Sequence, residues 1–189
     1  DSELILSNLT GKSRENFLIN SNIKISKDQV NNFNNLIMRR ALKKEPIAFL
    51  LKYKEFWSTK FNVQKGVLIP RPETELMVEK LVKIFKDKEI SLLDIGTGSG
   101  CIIISLLSEL KKSKGVGIDI SNKAILIAKK NAKIHNLNNR IKLYNKSFDN
   151  FYNRSFDLIV SNPPYIKSSE LNNLEDDIIK AIETFEPRA

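Results

Sequence analysis

The chain has 189 residues, of which 41% are hydrophobic and 28% are charged, a balance that is ordinary for a globular protein. This length holds one core and a small accessory domain, because domains commonly have ~100–150 residues. No apolar run approaches the ~20 residues that cross a bilayer, and the first residues do not form a secretory signal. We therefore expect a cytoplasmic protein that does not span a membrane.

The cysteine and histidine content limits the metal and redox chemistry. The single cysteine, Cys101, excludes an intrachain disulfide, and with the single histidine, His135, it excludes a zinc cluster. We expect His135 to face solvent and Trp57 to anchor a hairpin. The net charge of +9 would suit a polyanionic partner, but the lysines are scattered along the sequence. We expect a solvated surface, a monomer and no direct contact with nucleic acid.

The amino-terminal part has a helical pattern. Ser26 is a predicted N-cap, and apolar residues then recur at helical spacing until Pro46. We assign residues 1–52 to a small helical domain. Residues 53–72 are predicted to form a linking β-hairpin, with β-rich stretches at 55–58, 61–63 and 67–69.

Helices and strands alternate after residue 72. Helices are predicted at about 73–86 and 101–112 and from the Ser121 cap to about 136, and strands at about 91–95, 115–118, 141–144 and 156–160. The first helix has Leu76, Leu81, Ile84 and Phe85 as its apolar side. This alternation predicts an α/β fold with a Rossmann-like parallel sheet in residues 73–189. Four strands can be predicted in this part of the chain.

A glycine loop follows the first strand of this sheet and begins a helix. It runs from Asp94 to Gly100, with glycines at 96, 98 and 100. Because glycine has no side chain, the backbone at these positions can approach a ligand closely. A dinucleotide fingerprint would need its third glycine at position 101, and no Gly-Lys-Ser/Thr of a phosphate loop follows. The loop suits S-adenosylmethionine, which has no phosphate. We predict cofactor contacts at Asp94, Gly96, Thr97, Gly98, Ser99 and Gly100.

The second strand ends at Asp119, 25 positions after Asp94. A carboxylate at this strand end can accept hydrogen bonds from both hydroxyls of a ribose. The alternative is that Asp94 and Asp119 are only loop carboxylates or caps. With the glycines between them we favour a cofactor role.

Asn162, Pro163, Pro164 and Tyr165 follow the last predicted strand, at the edge where open α/β sheets bind ligands. An NH2 group attached to a π-system is a poor nucleophile, so it must be held and polarised. The Asn162 side chain and the Pro163 carbonyl can each accept one N–H, and Tyr165 can pack on the planar group. The alternative is a Pro-Pro turn with a packed tyrosine. We predict Asn162, Pro163 and Tyr165 to be catalytic and all four residues to bind substrate.

Segments along nearly the whole chain resemble the bacterial release-factor glutamine N5-methyltransferases. In the amino-terminal part they are residues 1–6, 39–40 and 45–50, and Glu55-Phe56-Trp57 resembles the family's interdomain hairpin. Residues 68–75 contain the Pro-Arg-Pro-Glu-Thr-Glu form of the signature, whereas related ribosomal-protein methyltransferases have a Pro-Arg-Ser-Pro type sequence. The resemblance implies S-adenosylmethionine as cofactor and the glutamine of the Gly-Gly-Gln motif of class I release factors as substrate.

The chain departs from this family in two places. Near the adenine the family has an acidic residue beside an aromatic one, whereas this chain has Asn145-Lys146-Ser147-Phe148. We select Ser147 and Phe148 there, Asn162 as a further cofactor contact, and Arg71 as a substrate contact that could equally brace the hinge. The resemblance also implies further strands beyond Ala189 and a missing first helix.

Two other functions stay open at this point. An amino group of adenine in DNA or RNA would fit the same acceptors, although no target-recognition domain is visible. A catalytically silent cofactor-binding fragment is the second alternative, because a four-stranded sheet has an exposed edge.

Overall fold

The computed structural model describes residues 1–20, 22–151 and 155–163 of the chain. The amino-terminal part contains four helices, α1 (Ser2–Thr10), α2 (Arg14–Ile19), α3 (Lys27–Lys43) and α4 (Ile47–Leu51). The predicted N-cap at Ser26 is confirmed: its side chain accepts from Gln29 N, and the Gln29 side chain accepts from Ser26 N at 3.0 Å. This reciprocal pair is a capping box, which satisfies two donors at the helix start.

An antiparallel hairpin connects this part to the rest of the chain. Its strands are β1 (Tyr53–Phe56) and β2 (Thr59–Asn62), joined through Trp57 and Ser58, which both have positive φ. The predicted β structure at Val67–Ile69 is wrong. Val67 and Ile69 are buried in two different apolar clusters, and the backbone N–H of Val67 donates to Gln64 O in a turn. Val67 and Ile69 are apolar because they are buried, although neither lies in a strand.

A four-stranded parallel sheet with flanking helices follows. The strands are β3 (Ser91–Ile95), β4 (Lys114–Asp119), β5 (Ile141–Asn145) and β6 (Leu158–Ser161), in the spatial order β5-β4-β3-β6. The helices are α5 (Glu73–Phe85), α6 (Cys101–Glu109) and α7 (Asn122–Ile134), with a 3-10 helix at Phe148–Asn150. The predicted α/β fold with a parallel sheet is therefore confirmed. The chain adds β4 and β5 on one side of β3 and β6 on the other.

The predicted end of one helix needs correction. Helix α6 ends at Glu109, earlier than predicted, because the Arg140 guanidinium donates to the carbonyls of Leu107, Leu110 and Ser113 and so satisfies the helix end.

The apolar side of α5 differs from the prediction. Val78 is fully buried, whereas Leu76 and Ile84 are 62% and 57% exposed. Periodicity alone does not decide which part of a broad apolar stripe contacts the sheet.

The hairpin contacts the three helices that flank the sheet. The backbone N–H of Trp57 donates to Glu75 at 3.2 Å, and its indole N–H donates to Glu109 at 2.9 Å, so the prediction that Trp57 anchors the hairpin is confirmed. The prediction that His135 faces solvent is wrong. The His135 ring is half-buried and stacks on Phe61 with a centroid separation of 4.7 Å. In the described part of the chain no helix is long and apolar enough to cross a membrane.

Candidate functional site

A cavity of about 390 Å³ opens at the carboxyl ends of β3, β4 and β6. This volume lies within the ~300–1,000 Å³ of small-molecule sites. The location follows from the strand order, because the chain reverses direction across the sheet between β3 and β6 and leaves a crevice there. Five segments line the cavity: residues 66–68, the glycine loop, residues 118–121 with Ala124, residues 146–148 and residues 161–163.

The glycine loop forms one wall through its backbone. Gly96 and Gly98, which both line the cavity, have φ of 69° and 56°. A Cβ added at Gly96 would meet no atom within 4 Å, so a side chain there would occupy the cavity itself. These conformations favour glycine and let a ligand approach the main chain closely.

Asp94 lies beneath this loop at the end of β3. Its side chain is fully buried, the Thr97 hydroxyl donates to its Oδ2 at 2.7 Å, and its Oδ1 has no partner among the described residues. Burial raises the pKa of Asp94 to about 7, and the charge of Asp119 acts in the same direction. Of the predicted cofactor residues, Asp94, Thr97, Ser99 and Gly100 are therefore placed to shape the loop, and they do not line the cavity.

Asp119 connects the loop to helix α7 and also lines the cavity. Its Oδ2 accepts from Gly98 N at 2.9 Å, and its Oδ1 accepts from Ser121 N at 2.8 Å. Because a carboxylate has about four acceptor sites, two remain for a ligand. The carboxylate is thus held in a fixed position by two backbone donors.

Asn162 and Pro163 form the opposite edge of the cavity, directly after β6. The side-chain nitrogen of Asn162 donates to the hydroxyl of Thr74 at 3.2 Å, a contact between residues 88 positions apart. In an amide the oxygen lies across Cγ from the nitrogen, so the Asn162 oxygen is left to accept from a ligand. Pro164 and Tyr165 lie outside the described residues. Arg71 does not line the cavity, and its carbonyl accepts from Thr74 N.

The cavity is also lined by residues that the sequence analysis did not predict to be part of a site. They are Gly66, Val67, Leu68, Ile95, Ile118, Ile120, Ser121, Ala124, Lys146 and Ser161. Ile120 is 81% exposed, and together with Phe148 it gives the cavity an apolar flank. The sequence could have indicated Ile120, because this residue directly follows Asp119 at a strand end. No sequence pattern indicated the wall formed by residues 66–68, because only tertiary packing brings it to the sheet.

The chain matches two family models. The methyltransferase small domain model matches residues 72–185, and the PrmC N-terminal domain model matches residues 1–51. Among solved structures, a SAM-dependent methyltransferase from Agrobacterium tumefaciens superposes with a TM-score of 0.50 at 19% identity, covering 59% of this chain and 39% of that one. This likeness shows the fold alone.

Similar curated proteins include two release factor glutamine methyltransferases. The protein of Buchnera aphidicola subsp. Baizongia pistaciae is 42% identical over 188 residues, which cover 99% of this chain and 65% of that protein. The protein of Caulobacter vibrioides is 37% identical over 180 residues, which cover 94% and 62%. The chain thus spans a little under two thirds of these relatives' lengths. With the family model matching more than half of it, the chain belongs to the methyltransferase small domain family.

Proposed function

We propose that this chain contains the cofactor site and the amide-holding residues of a protein-glutamine N5-methyltransferase. Its substrate is the glutamine of the Gly-Gly-Gln motif in class I peptide release factors, and its cofactor is S-adenosylmethionine. The observation that carries the proposal is the position of Asn162, at the edge of a cofactor-sized cavity with its amide nitrogen bonded to Thr74. The relatives named release factor glutamine methyltransferase, 36–42% identical, support this choice of substrate.

The residues that line the cavity suit S-adenosylmethionine. Gly96 and Gly98 leave room for close approach to the backbone, and the carboxylate of Asp119 is positioned to accept from ribose hydroxyls. Ile120 and Phe148 offer apolar surfaces to a purine, beside Ser147. When bound, the cofactor supplies an electrophilic methyl group on a sulfonium.

The substrate amide is held by groups of this chain. The Asn162 oxygen accepts one N–H of the glutamine side chain, and the Pro163 carbonyl accepts the other. Both acceptors stabilise the positive charge that develops on the attacking nitrogen, and because they are fixed beforehand the ordering cost is low. Pro164, Tyr165 and Arg71 are retained in the proposal as substrate contacts. In the proposed transfer the S–CH3 bond of the bound cofactor would break as the N–CH3 bond forms, and the charged nitrogen would then lose its extra proton to solvent, so no strong general base is needed.

The proposed substrate places the protein's action in the cytoplasm, where translation terminates. The expectations of a monomer and of no direct nucleic-acid contact stay predictions. The described part of the chain contains no group of three or more His, Cys, Asp or Glu that could hold a metal ion, and the proposed reaction uses none.

A methylation assay tests the proposal. The protein is incubated with methyl-labelled S-adenosylmethionine and a class I release factor, with a release factor whose Gly-Gly-Gln glutamine is changed to alanine as control. We expect label on the intact factor and none on the control. Equal labelling of both factors contradicts the assigned site, and label on an oligonucleotide that survives protease treatment would indicate the adenine alternative.

A cofactor titration distinguishes the proposal from a catalytically silent fragment. Calorimetric titration of the 189-residue chain with S-adenosylmethionine should show saturable one-site binding, because the described cavity is lined by Asp119 and the glycine loop. An absence of binding would show that this chain does not contain a competent site.

A further inference from the structure

Asn131, on α7, is a fully buried amide that connects the hairpin to the glycine loop. Its Oδ1 accepts from the backbone N–H and from the side-chain nitrogen of Asn62, both at 2.8 Å. Its Nδ2 donates to the carbonyl of Asn62 at 3.1 Å and to the carbonyl of Ser99 at 2.8 Å. One side chain therefore uses two acceptor and two donor positions between β2 and the loop.

Backbone groups dictate the orientation of this amide. The N–H of Asn62 can only donate, and the carbonyls of Asn62 and Ser99 can only accept. Rotating the Asn131 amide by 180° would place donor against donor or acceptor against acceptor at each of these contacts. The arrangement is therefore specific for asparagine in this one orientation.

On the loop side, Asn131 holds the turn that carries the cavity-lining glycine. Gly100 N donates to Thr97 O at 2.8 Å and closes the turn that contains Gly98 and Ser99. The same face of α7 touches this turn at Ala128, whose Cβ lies 3.3 Å from the position that a Cβ on Gly100 would take. Fixing the Ser99 carbonyl from below thus fixes Gly98 relative to Asp119.

On the hairpin side, the contact reaches the amino-terminal helices. Strand β1 begins two residues after α4 ends, and the neighbouring Leu50, Leu51 and Tyr53 pack with Ile5 of α1. The Asn62–Asn131 contact therefore joins the hairpin, which packs on the amino-terminal helices, to the support of the glycine loop.

We propose that Asn131 is a positioning residue for cofactor binding: it holds the glycine loop in its binding shape and connects that loop to the hairpin. The inference depends on the proposed function only for the identity of the cofactor. Because Asn131 lies beneath the loop and does not line the cavity, it acts through Ser99 and Gly98.

Asn131→Asp removes the donating nitrogen of this contact. The aspartate keeps an oxygen for the two donors of Asn62, but its second oxygen cannot donate, so the carbonyls of Ser99 and Asn62 both lose their bond to this side chain. We expect the dissociation constant for S-adenosylmethionine, measured calorimetrically on the 189-residue chain, to rise about tenfold or more, the effect of losing a buried hydrogen bond that orders the site. Asn62→Ala is the matched control, because it removes one side-chain donor and leaves the Ser99 contact. Its dissociation constant should stay within about twofold of wild type.

A merely structural role predicts a different pattern. Asn131→Asp would then lower the melting temperature but bind the cofactor like wild type at temperatures where the variant is folded, and that result would overturn the proposal. Asn131→Ser, which keeps a short donor, is measured in the same way should the aspartate variant not fold.

Hydrogen exchange measured without cofactor tests the positioning role independently. This test applies even if the wild type fails to bind S-adenosylmethionine and the proposed cofactor is wrong. We expect faster exchange at the Gly100 amide in Asn131→Asp than in Asn62→Ala. Equal rates in the two variants would contradict the positioning role.

Discussion

The side-chain nitrogen of Asn162 donates to the hydroxyl of Thr74 at 3.2 Å, and so connects the Asn-Pro-Pro-Tyr segment to the Arg-Pro-Glu-Thr-Glu segment. Thr74 lies in the first turn of α5, and Asn162 follows β6. Two residues that are distant in the sequence, one from each motif, are therefore in direct contact. The contact directs the Asn162 oxygen away from Thr74, which is the orientation that the proposed amide contact needs.

Thr74→Val should slow methyl transfer without weakening cofactor binding. Valine has the shape of threonine but cannot accept from Asn162, so the Asn162 amide loses its fixed orientation. We expect kcat to fall by about 3- to 10-fold, the effect of one hydrogen bond of ~1 kcal/mol, while the Kd for S-adenosylmethionine is unchanged. Thr74→Ser keeps the hydroxyl and should restore the rate. Equal slowing by both variants would contradict the role of the hydroxyl bond, because Thr74→Ser keeps the hydroxyl.

Asn162→Ala should abolish most turnover while cofactor binding stays nearly intact. The substitution removes the acceptor for the substrate amide, a loss of transition-state stabilisation that we expect to lower kcat by about 10²-fold or more. Asn162→Asp retains an acceptor and should keep more activity than alanine. Single-turnover rates with a release factor, together with cofactor titrations, measure both effects. Weakened cofactor binding at an unchanged rate would reverse the assigned role.

Asp119→Ala should weaken cofactor binding first. The variant loses the acceptor proposed for the ribose and the contacts to the backbone of Gly98 and Ser121, so we expect the Kd for S-adenosylmethionine to rise by about 10- to 100-fold. The matched control is Asp157→Ala, which also removes a carboxylate with two contacts, both to Ser91. Asp157 does not line the cavity, so its loss should lower stability and leave the Kd unchanged. A similar Kd increase in both variants would indicate a general loss of structure.

Asp94 should make the chain less stable as the pH rises from about 4 to about 7. Burial raises the pKa of Asp94 from 3.8 to about 7, so between these values the folded chain keeps a proton that the unfolded chain has released. Below this range both states are protonated, and above it both are ionised. The free energy of unfolding should therefore fall by at most ~1.4 kcal/mol per pH unit through the window.

The Asp94→Asn variant isolates this effect, because it has the same shape and does not titrate. Urea unfolding of both chains across pH 4–8 should show wild type losing stability relative to Asp94→Asn as the pH rises, with no further change above about 7. A stability difference that is constant with pH would contradict the raised pKa.

Much of the fold could be predicted because its signals are local. Ser26 and Ser121 cap helices through their own side chains. A short apolar run correctly predicted both ends of strand 91–95. The parallel sheet then brings every strand end to one edge, so Asp119 and Asn162 could be expected at one cavity from the alternation of elements alone.

The remaining features depend on contacts between distant residues. The Gly66–Leu68 wall, the bond between Thr74 and Asn162, and the support of Ser99 by Asn131 join residues that no local pattern relates. The 67–69 segment shows the same limit, since a short apolar run is compatible with a strand but does not require one. The side chains of Thr97 and Ser99, which lie between the glycines, are buried, and their predicted contact with the cofactor stays a prediction.

Mass spectrometry of a release factor after incubation with the protein and methyl-labelled S-adenosylmethionine tests the central claim most directly. The account predicts one added methyl group on the side-chain nitrogen of the Gly-Gly-Gln glutamine, absent when the incubating protein carries Asn162→Ala. A methyl group on another residue, or an unmodified Gly-Gly-Gln peptide alongside label elsewhere, would contradict it.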